Sequence, residues 1–398
     1  MNELRQILHA VASTDEPLHL ATVVDVDGSA YRRPGARMLV LPDGGHIGAI
    51  SGGCLERDLC RQAATICKRG PRLICFDTRS EAMDLNARYG LGCSGVIYVL
   101  VEPVTRDDRC PIRRLQEVFE TRLPQVVGTV YQTSGGKFSS LQLGQRFADI
   151  DLSLSGLFAN SYIVEELRYW FGQTRATSRP VCCQLTRSGD DPGESGTRVF
   201  IELLSPPKPL WIFGAGDDAI PLAMIAGDLG WCVSVIDDRP GNLTRSRFPT
   251  VDRLVLGARE EARRQLPATP QTAAVLMTHH LKKDAEIVPW LCGLQLSYVG
   301  LLGPKSRTGE LIKHIHAAGN LPPLVQLDKL HTPVGLDIGA SNPGEVAVSI
   351  VAEIIAVDRR RSGRPLAQRN GPIHHPVAHR LIDSRTPQTK QAFAWDHE

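Results

Sequence analysis

The chain has 398 residues, enough for two domains with separate hydrophobic cores, since single cores stop growing beyond about 250 to 300 residues. Hydrophobic residues make up 42% and charged residues 22%, as in ordinary soluble globular proteins, and a net charge of +2 argues against nucleic acid as the main partner. Without an apolar signal region or a stretch of roughly 18 apolar residues, we expect a cytoplasmic protein that does not contact membranes.

The first half of the chain mixes helical and strand-like patterns, from which we predict a mixed α/β domain over residues 1–205. Pro42-Asp43-Gly44-Gly45 marks a hairpin between two of its strands. The predicted helices span 1–13, 54–68 and 111–122, and the strand-like segments span 20–26, 37–41, 46–50, 72–77, 96–101, 125–131, 140–150 and 198–204.

A proline-rich linker, Ser205 to Pro209, separates this domain from a second one, because closely spaced prolines block both helix and sheet. Beyond it strands and helices alternate, which predicts a Rossmann-like, doubly wound parallel sheet over residues 206–357. The predicted strands span 210–213, 232–236, 253–256, 273–277 and 298–302, and the predicted helices 218–229, 259–265, 283–292, 305–317 and 343–357. The basic tail over 358–398 is expected to be loosely ordered.

The turn after the first strand of the second domain follows the G-x-G-x-x-A pattern of dinucleotide-binding folds. Gly214 permits the tight turn, Gly216 lets a phosphate approach the backbone, and Ala219 lets the helix pack closely. Asp237 stands about twenty residues further on, where a carboxylate accepts hydrogen bonds from a ribose. NAD(P) or another nucleotide is therefore a candidate ligand. The two acids after Gly216 would repel a pyrophosphate, so a turn that serves packing alone is the alternative.

Two further candidates follow later strands of this domain, at the edge where open α/β sheets bind ligands. His279 is a candidate acid/base, and a histidine that only hydrogen-bonds at a strand end is the alternative. Gly303 and Lys305 lie at the start of the next helix and are a candidate binding site for an anion. The alternative is a first helical turn whose cations are simply exposed to solvent. No Lys/Tyr or Arg/His constellation for hydride transfer accompanies the glycine turn, so an NAD(P)-dependent oxidoreductase is the second hypothesis.

Two cysteines in glycine-rich turns are the main candidate thiol sites of the first domain. Gly52 and Gly53 precede Cys54 and predict a turn at a helix N-terminus, where free backbone N–H groups and the macrodipole favour a thiolate. Cys93 follows Gly92 in a similarly open backbone. Each cysteine is a candidate nucleophile or ligand of a soft metal. The alternative for Cys54 is a structural role, as a small residue required where a strand passes tightly into a helix.

The other thiols form no recognisable metal site in the sequence. Cys60 and Cys67 follow Cys54 by six and thirteen residues, which does not place all three on one helix face. Cys182 and Cys183 would point to opposite faces of a strand. We therefore expect no structural zinc site, and we expect the ten cysteines, which lack a CxxC pair, to be reduced.

A loop rich in glycine and arginine, Gly28 to Met38, adds a candidate anion site. Ser29 offers a hydroxyl group, and Arg32 a guanidinium group that can bind a phosphate through two hydrogen bonds. This loop is a candidate to hold the anionic tail of a cofactor, and a hairpin turn with solvated cations is the alternative.

Together these segments resemble the XdhC/CoxI family, accessory proteins for molybdenum hydroxylases such as xanthine dehydrogenase. The similarity covers roughly residues 1–110 and 205–357. It depends in the first half on Gly28-Ser29, Arg32, Pro34–Ala36, Ile50–Glu56 and Gly92–Gly95. In the second half it depends on Gly214–Gly216, Asp237–Arg239, Thr278–His279, Gly300–Gly303, Asp337–Ala340 and Pro343–Glu345. The chain departs from the family pattern at Ala30-Tyr31, where Thr-Pro is usual, at Ser94, where glycine is usual, and at Asp217, where histidine is common.

The resemblance implies a chaperone, rather than an enzyme, that binds the pyranopterin molybdenum cofactor, as molybdopterin or a dinucleotide of it. It further implies help with sulfuration of the cofactor and insertion into an apo molybdenum hydroxylase. Cys54 and Cys93 would lie near the molybdenum or its sulfide and Arg32 on the phosphate. The expected partners are the hydroxylase, a cysteine desulfurase, a molybdopterin nucleotidyltransferase and a second copy of the chain in a homodimer.

Overall fold

The structure is a computed structural model that describes residues 2–77, 95–133, 141–149, 151, 161–186, 196–317, 329–370, 373 and 377–383, except the side chains of Cys54, Ser161 and Asp383. The chain forms two compact units. The first unit consists of residues 3–206 and 374–398, and the second of residues 207–373 with residues 1–2. Among the described residues, no helix is both long and apolar enough to cross a membrane.

In chain order the helices are α1 (Asn2–Ser13), α2 (Cys54–Ile66), α3 (Arg113–Thr121), α4 (Ser161–Thr177), α5 (Ala219–Asp228), α6 (Arg259–Gln265), α7 (Leu281–Cys292), α8 (Lys305–Ala317) and α9 (Pro343–Asp358). The strands are β1 (His19–Gly28), β2 (Arg37–Val40), β3 (His46–Gly48), β4 (Arg72–Asp77), β5 (Gly95–Pro103), β6 (Gln125–Gln132), β7 (Arg146–Ala148), β8 (Val181–Thr186), β9 (Thr197–Leu204), β10 (Pro209–Phe213), β11 (Cys232–Asp237), β12 (Arg253–Leu256), β13 (Ala273–Leu276), β14 (Tyr298–Leu301), β15 (Leu330–His331) and β16 (Ala378–Asp383). Short 3-10 helices span Cys67–Arg69 and Leu366–Gln368.

The first unit contains two sheets that pack against each other. The first sheet has the order β3-β2-β1-β5-β4 and the second the order β16-β8-β9-β6-β7. Side chains of β1, β5, β6, β8 and β9 share one apolar cluster between the sheets, while α2 covers the first sheet and α4 the second. Because both faces of β1 are covered, Leu20 to Asp25 are buried without interruption, instead of in the alternating pattern of a half-exposed strand.

Two buried ion pairs connect the two sheets. Glu102 on β5 accepts two hydrogen bonds from the Arg146 guanidinium on β7, at 2.6 and 2.9 Å, and both side chains are at least nine-tenths buried. Arg37 on β2 donates one hydrogen bond to Glu202 on β9, and both side chains are again about nine-tenths buried. Each buried charge therefore depends on a partner in the opposite sheet.

The C-terminal segment corrects one prediction. Residues 378–383, which lie in the tail expected to be loosely ordered, form β16, which pairs in parallel with β8. Ile382 is buried in the core of the second sheet, and the guanidinium of Arg380 lies 4.8 Å from the centre of the Trp170 ring. A strand this short gains its stability from a remote partner strand, which the pattern of the tail does not reveal.

The second unit confirms the predicted parallel sheet. Its strands have the order β12-β11-β10-β13-β14-β15, and every neighbouring pair is parallel. This is the 3-2-1-4-5-6 order of doubly wound nucleotide-binding folds. Helices α5 and α9 pack on one face and α6, α7 and α8 on the other. Asn342 caps α9, since its side chain accepts a hydrogen bond from the Glu345 N–H at 3.0 Å.

Candidate functional site

The turn before Cys54 has the predicted backbone. Helix α2 begins at Cys54, and Gly53 immediately before it has a φ of 115°, in the left-handed region that favours glycine. A Cβ atom at Gly53 would meet no atom within 4 Å, so the requirement for glycine is conformational. Gly52 and Gly53 are both exposed.

A buried carboxylate holds this turn together. Glu56, only 2% exposed, accepts hydrogen bonds from the backbone N–H groups of Ile50, Ser51 and Gly53 at 2.9, 2.6 and 3.1 Å, and from the Ser51 hydroxyl. Burial acts to raise the pKa of Glu56, but the hydrogen bonds from Ser51 and the backbone outweigh burial and lower it. The sequence motif contains Glu56 but does not by itself reveal this role.

Glu56 and Ser51 also change the expected electrostatics at Cys54. The Gly53 N–H donates to both, and the Leu55 N–H donates to the Ser51 hydroxyl at 3.2 Å, so these amides are not free. The prediction of free N–H groups beside the thiol is therefore wrong for these two amides.

The loop between β1 and β2 carries Ser29 and Arg32. Ser29 is exposed, and Arg32 donates to Glu3 at 2.7 Å in a pair whose side chains are 33% and 44% exposed. The Nε atom of Arg32 is buried and has no hydrogen-bond partner among the residues that the structure describes. Ala30 of this loop packs on the same apolar cluster as Leu55 of α2. A surface pair of this kind contributes at most about 1 kcal/mol, so a phosphate can compete with Glu3 for Arg32.

Gly92 and Cys93 lie outside the described residues. The described chain resumes at Gly95, which pairs with Gly28 at the end of β1. A Cβ atom at Gly95 would lie 2.6 Å from the backbone oxygen of Ser29, so only glycine fits where β5 passes the Ser29 turn.

In the second unit, the glycine turn follows β10. It lies at the carboxyl end of β10 and its neighbour β13, where the strand order changes direction and where folds of this kind bind ligands. Gly214 has a φ of 110°, and a Cβ atom there would lie 2.4 Å from the backbone oxygen of Met277. At Gly216 the nearest obstacle is the flexible Asp218 side chain, and Ala219 is fully buried at the start of α5. Gly214 therefore has a role in packing whether or not a nucleotide binds.

Gly214→Ala should lower the free energy of unfolding of the second unit by at least about 2 kcal/mol, because it combines left-handed strain with a backbone clash. Gly241→Ala is the matched control, since Gly241 is exposed and its Cβ atom would meet nothing within 4 Å. Urea denaturation of both variants measures the difference. Equal midpoints would contradict the packing role of Gly214.

Four acidic side chains surround this edge of the sheet, and each contacts a basic side chain of the same unit. His279, at a φ of 56°, contacts Asp218 through Nε2 at 2.7 Å, and its side chain is 61% exposed. The acidic groups at the edge where a dinucleotide would bind are thus already engaged by side chains of the chain itself. The pairs are Asp217–Arg247 at 2.8 Å and Asp218–His279, Asp237–Arg239 and Asp238–Lys283 at 2.7 Å.

Asp237, the predicted ribose acceptor, is engaged inside the protein. It is 6% exposed and accepts from the Ala215 N–H at 2.7 Å, the Arg239 N–H at 2.8 Å and the Arg239 guanidinium. Burial acts to raise the pKa of Asp237, but the Arg239 side chain and the two amides outweigh it and lower the pKa to about 2. A ribose hydroxyl would have to displace Arg239.

The low pKa of Asp237 predicts acid sensitivity. Because the folded-state pKa of about 2 lies below the ordinary value, Asp237 stabilises the fold fully above about pH 4, and this contribution is lost as the pH falls towards 2. We expect the free energy of unfolding of wild type to exceed that of Asp237→Asn by roughly 2 kcal/mol at pH 7. This difference should shrink below pH 4. Urea titrations across this range measure it. Asp238→Asn, which removes a surface ion pair, is the control and should lower the free energy of unfolding by less than about 1 kcal/mol. A difference between wild type and Asp237→Asn that does not change with pH would contradict the low pKa of Asp237.

A buried aspartate that the sequence pattern did not single out organises the ends of β13 and β14. Asp284, 1% exposed, accepts from the Thr278 hydroxyl at 2.5 Å and pairs with Arg307 on α8. Gly303 has a φ of 133°, and Lys305 begins α8 with an exposed side chain. An anion at this helix start would therefore meet Lys305, since Arg307 is held by Asp284.

Comparisons with known proteins bear on both units. A family model described as the XdhC Rossmann domain matches residues 210–354, and one described as the XdhC and CoxI family matches residues 11–77. A Bacillus subtilis (strain 168) protein, named as a probable subunit of xanthine dehydrogenase, is 33% identical over 369 residues, 90% of this chain and 99% of that protein. The chain belongs to the XdhC and CoxI family. This confirms the resemblance drawn from its motifs.

A solved structure agrees with this membership. The chain is similar to a crystal structure described as a xanthine dehydrogenase from Bacillus halodurans, with a TM-score of 0.69 and 31% identity, over 93% of this chain and 98% of that one. An uncharacterized Escherichia coli (strain K12) protein, YqeB, is 28% identical over 188 residues, 46% of this chain and 33% of that protein. The Cys54 turn and the Gly214 turn both lie within the segments that the XdhC and CoxI models match.

Proposed function

We propose that this protein is a maturation accessory of a molybdenum hydroxylase of the xanthine dehydrogenase type. In this role it binds the pyranopterin molybdenum cofactor, supports its sulfuration and inserts it into the apo-hydroxylase. The observation that carries the proposal is the exposed glycine turn in which Glu56 and the left-handed Gly53 fix the start of α2 at Cys54. Membership of the XdhC and CoxI family and relatives named for xanthine dehydrogenase support it.

The described residues of the first unit fit such a cofactor. Ser29 is exposed, and the buried Nε atom of Arg32 has no hydrogen-bond partner in the described part of the chain, so this loop can accept a phosphate. Cys54 opens α2 with a thiol group, and thiolates are preferred ligands of soft metal centres. Cys93 is proposed as the second thiol. When bound, the cofactor would supply the molybdenum centre at which an oxo ligand is replaced by sulfide.

The remaining partners follow from this role. We propose a cysteine desulfurase as the sulfur donor, a molybdopterin nucleotidyltransferase where the cofactor is a dinucleotide, and a homodimer as the working form. Thiols whose pKa is near or below the ambient pH accept and transfer persulfide sulfur readily. An open turn such as that around Cys54 would admit the donor.

The side-chain pairs at the glycine turn of the second unit favour a structural role for this turn over hydride transfer. Arg239 occupies both carboxylate oxygens of Asp237, and Asp218 holds His279, so an oxidoreductase would have to break these pairs before it could bind NAD(P). Nucleotide binding at Gly214, Gly216 and Asp237 would require Arg239 to leave the Asp237 carboxylate. We propose no turnover of NAD(P) by the isolated protein.

Purification from a molybdate-replete host tests the cofactor-binding step. We expect molybdenum and pterin to co-purify with the protein in equal amounts, and we expect neither from a host unable to synthesise molybdopterin. The same preparations are assayed for NAD(P)-dependent oxidation of alcohols, aldehydes and hydroxy acids. Absence of molybdenum and pterin from the replete host, or robust NAD(P) turnover, would contradict the proposal.

A further inference from the structure

An aspartate, a cysteine and a histidine that are remote in sequence meet between the two sheets of the first unit. Asp25 lies on β1 of the first sheet, while Cys182 and His379 lie on the neighbouring strands β8 and β16 of the second. One ligand atom from each, a carboxylate oxygen, the sulfur and a ring nitrogen, lies within 4.8 Å of the other two. The His379 Nε2 and Asp25 Oδ1 atoms are 2.7 Å apart.

The backbone around this cluster is irregular in both sheets. The pairing of β1 with β5 shifts register between Val23 and Asp25, and the pairing of β6 with β9 shifts between Val130 and Gln132. Bulges of this kind redirect side chains and are concentrated next to functional sites. The second shift contains Tyr131, so an irregularity lies on each side of the space between the sheets.

Side chains and backbone at these irregularities contact the cluster. The Tyr131 hydroxyl donates to Asp25 Oδ2 at 2.9 Å, and the Cys182 thiol donates to the Val24 backbone oxygen at 3.4 Å. Tyr131 thus orients the carboxylate through the oxygen that His379 does not contact, as residues behind metal ligands commonly do.

Burial and charge also favour a cation at this position. Asp25 is 3% exposed and Cys182 is 2% exposed, whereas the His379 side chain is 55% exposed and borders solvent. A buried carboxylate is costly unless it is paired or bound to a metal. A divalent ion with one carboxylate, one thiolate and one neutral imidazole gives a group with no net charge, which burial does not penalise.

We propose that Asp25, Cys182 and His379 form a Zn²⁺ site, with water as the fourth ligand on the exposed side. Zinc accepts oxygen, sulfur and nitrogen ligands in tetrahedral geometry at about 2.0 to 2.3 Å, which separates the ligand atoms by roughly 3 to 4 Å. On binding, the Cys182 thiol proton passes to solvent and His379 coordinates as the neutral ring. The ion would connect strands β8 and β16 of the second sheet to strand β1 of the first.

Cobalt substitution tests this site directly, because thiolate ligation of Co²⁺ gives a charge-transfer band. The titration uses the full chain with Cys54→Ala and Cys93→Ala in place, stripped with a chelator, so that the proposed cofactor thiols cannot contribute. We expect one equivalent of Zn²⁺ or Co²⁺ per chain and a thiolate-to-cobalt band. Cys182→Ala should abolish the band, whereas Cys183→Ala, a buried thiol on the opposite face of the same strand, should retain it.

Two milder variants keep the test decisive if Cys182→Ala fails to fold. His379→Gln alters a half-exposed side chain and should lower metal affinity by more than about tenfold, and Tyr131→Phe by about 10- to 100-fold, with unchanged circular dichroism. The proposal is overturned if the parent shows no thiolate-to-cobalt band, or if His379→Gln binds metal as tightly as the parent. Because cofactor retention is measured separately, failure here leaves the proposed maturation role unaffected.

Discussion

Cys54→Ala should remove most of the molybdenum and pterin that co-purify with the protein, while the fold remains intact. The substitution deletes the thiol at the first residue of α2 and leaves the Gly53 turn and the Glu56 hydrogen bonds in place. Even changes behind a metal ligand lower affinity by about 10- to 100-fold, so loss of a ligand should reduce the retained molybdenum by more than about tenfold. Metal analysis and pterin fluorescence of matched preparations measure the loss.

Cys60→Ala is the matched control, since Cys60 lies on the same helix and its half-buried thiol faces the Gly45 backbone oxygen at 3.9 Å. Burial raises the pKa of Cys60, which keeps it a neutral thiol. We expect wild-type cofactor content in this variant and a smaller loss in Cys93→Ala than in Cys54→Ala. Equal content in wild type and Cys54→Ala would refute the role of Cys54, and a loss confined to Cys93→Ala would reverse the ranking of the two thiols.

Arg146→Met should lower the free energy of unfolding of the first unit by about 3 to 5 kcal/mol, because it leaves the Glu102 carboxylate buried between the sheets without its partner. Glu102 is 2% exposed, and Arg146 donates a hydrogen bond to each of its two carboxylate oxygens. Replacing both partners, as Glu102→Leu with Arg146→Met, should recover most of the loss, since apolar residues of similar volume can replace a buried pair. Urea denaturation measures all three proteins.

Arg106→Ala provides the comparison for that prediction. Arg106 pairs with Asp15, but the two side chains are 76% and 86% exposed, so water and salt screen the pair. We expect a change of at most about 1 kcal/mol. If Arg146→Met cost no more than Arg106→Ala, burial would not be what makes the Glu102 pair important.

The second unit could be predicted well because its signals are local. The alternation of apolar strands with helical repeats, and caps such as Asn342, follow from neighbouring residues, and α6 and α8 have the predicted bounds. The glycine turn is typical of the doubly wound nucleotide-binding architecture, which the second unit adopts. The ion pairs around Asp218 and Asp237 were not predicted, because they join the ends of strands that are distant in the chain.

The first unit was harder to predict because its strands pair over long distances. The spacing of Ile163, Leu167 and Phe171, all buried on α4, is helical, but no helix was predicted there. β16 depends on β8, and the hydrogen bond between His379 and Asp25 joins residues 354 positions apart. No spacing rule for metal ligands covers such a separation, so sequence patterns could not bring Asp25, Cys182 and His379 together as a candidate site.

Activation of an apo-hydroxylase tests the proposed maturation role most directly. Purified apo-hydroxylase is incubated with this protein carrying the cofactor, a cysteine desulfurase and cysteine, and hydroxylase activity is compared with that after addition of free cofactor. The account predicts activity that depends on the loaded protein and on the desulfurase, and that falls sharply with Cys54→Ala but not with Cys60→Ala. Equal activation by free cofactor under the same conditions would contradict it.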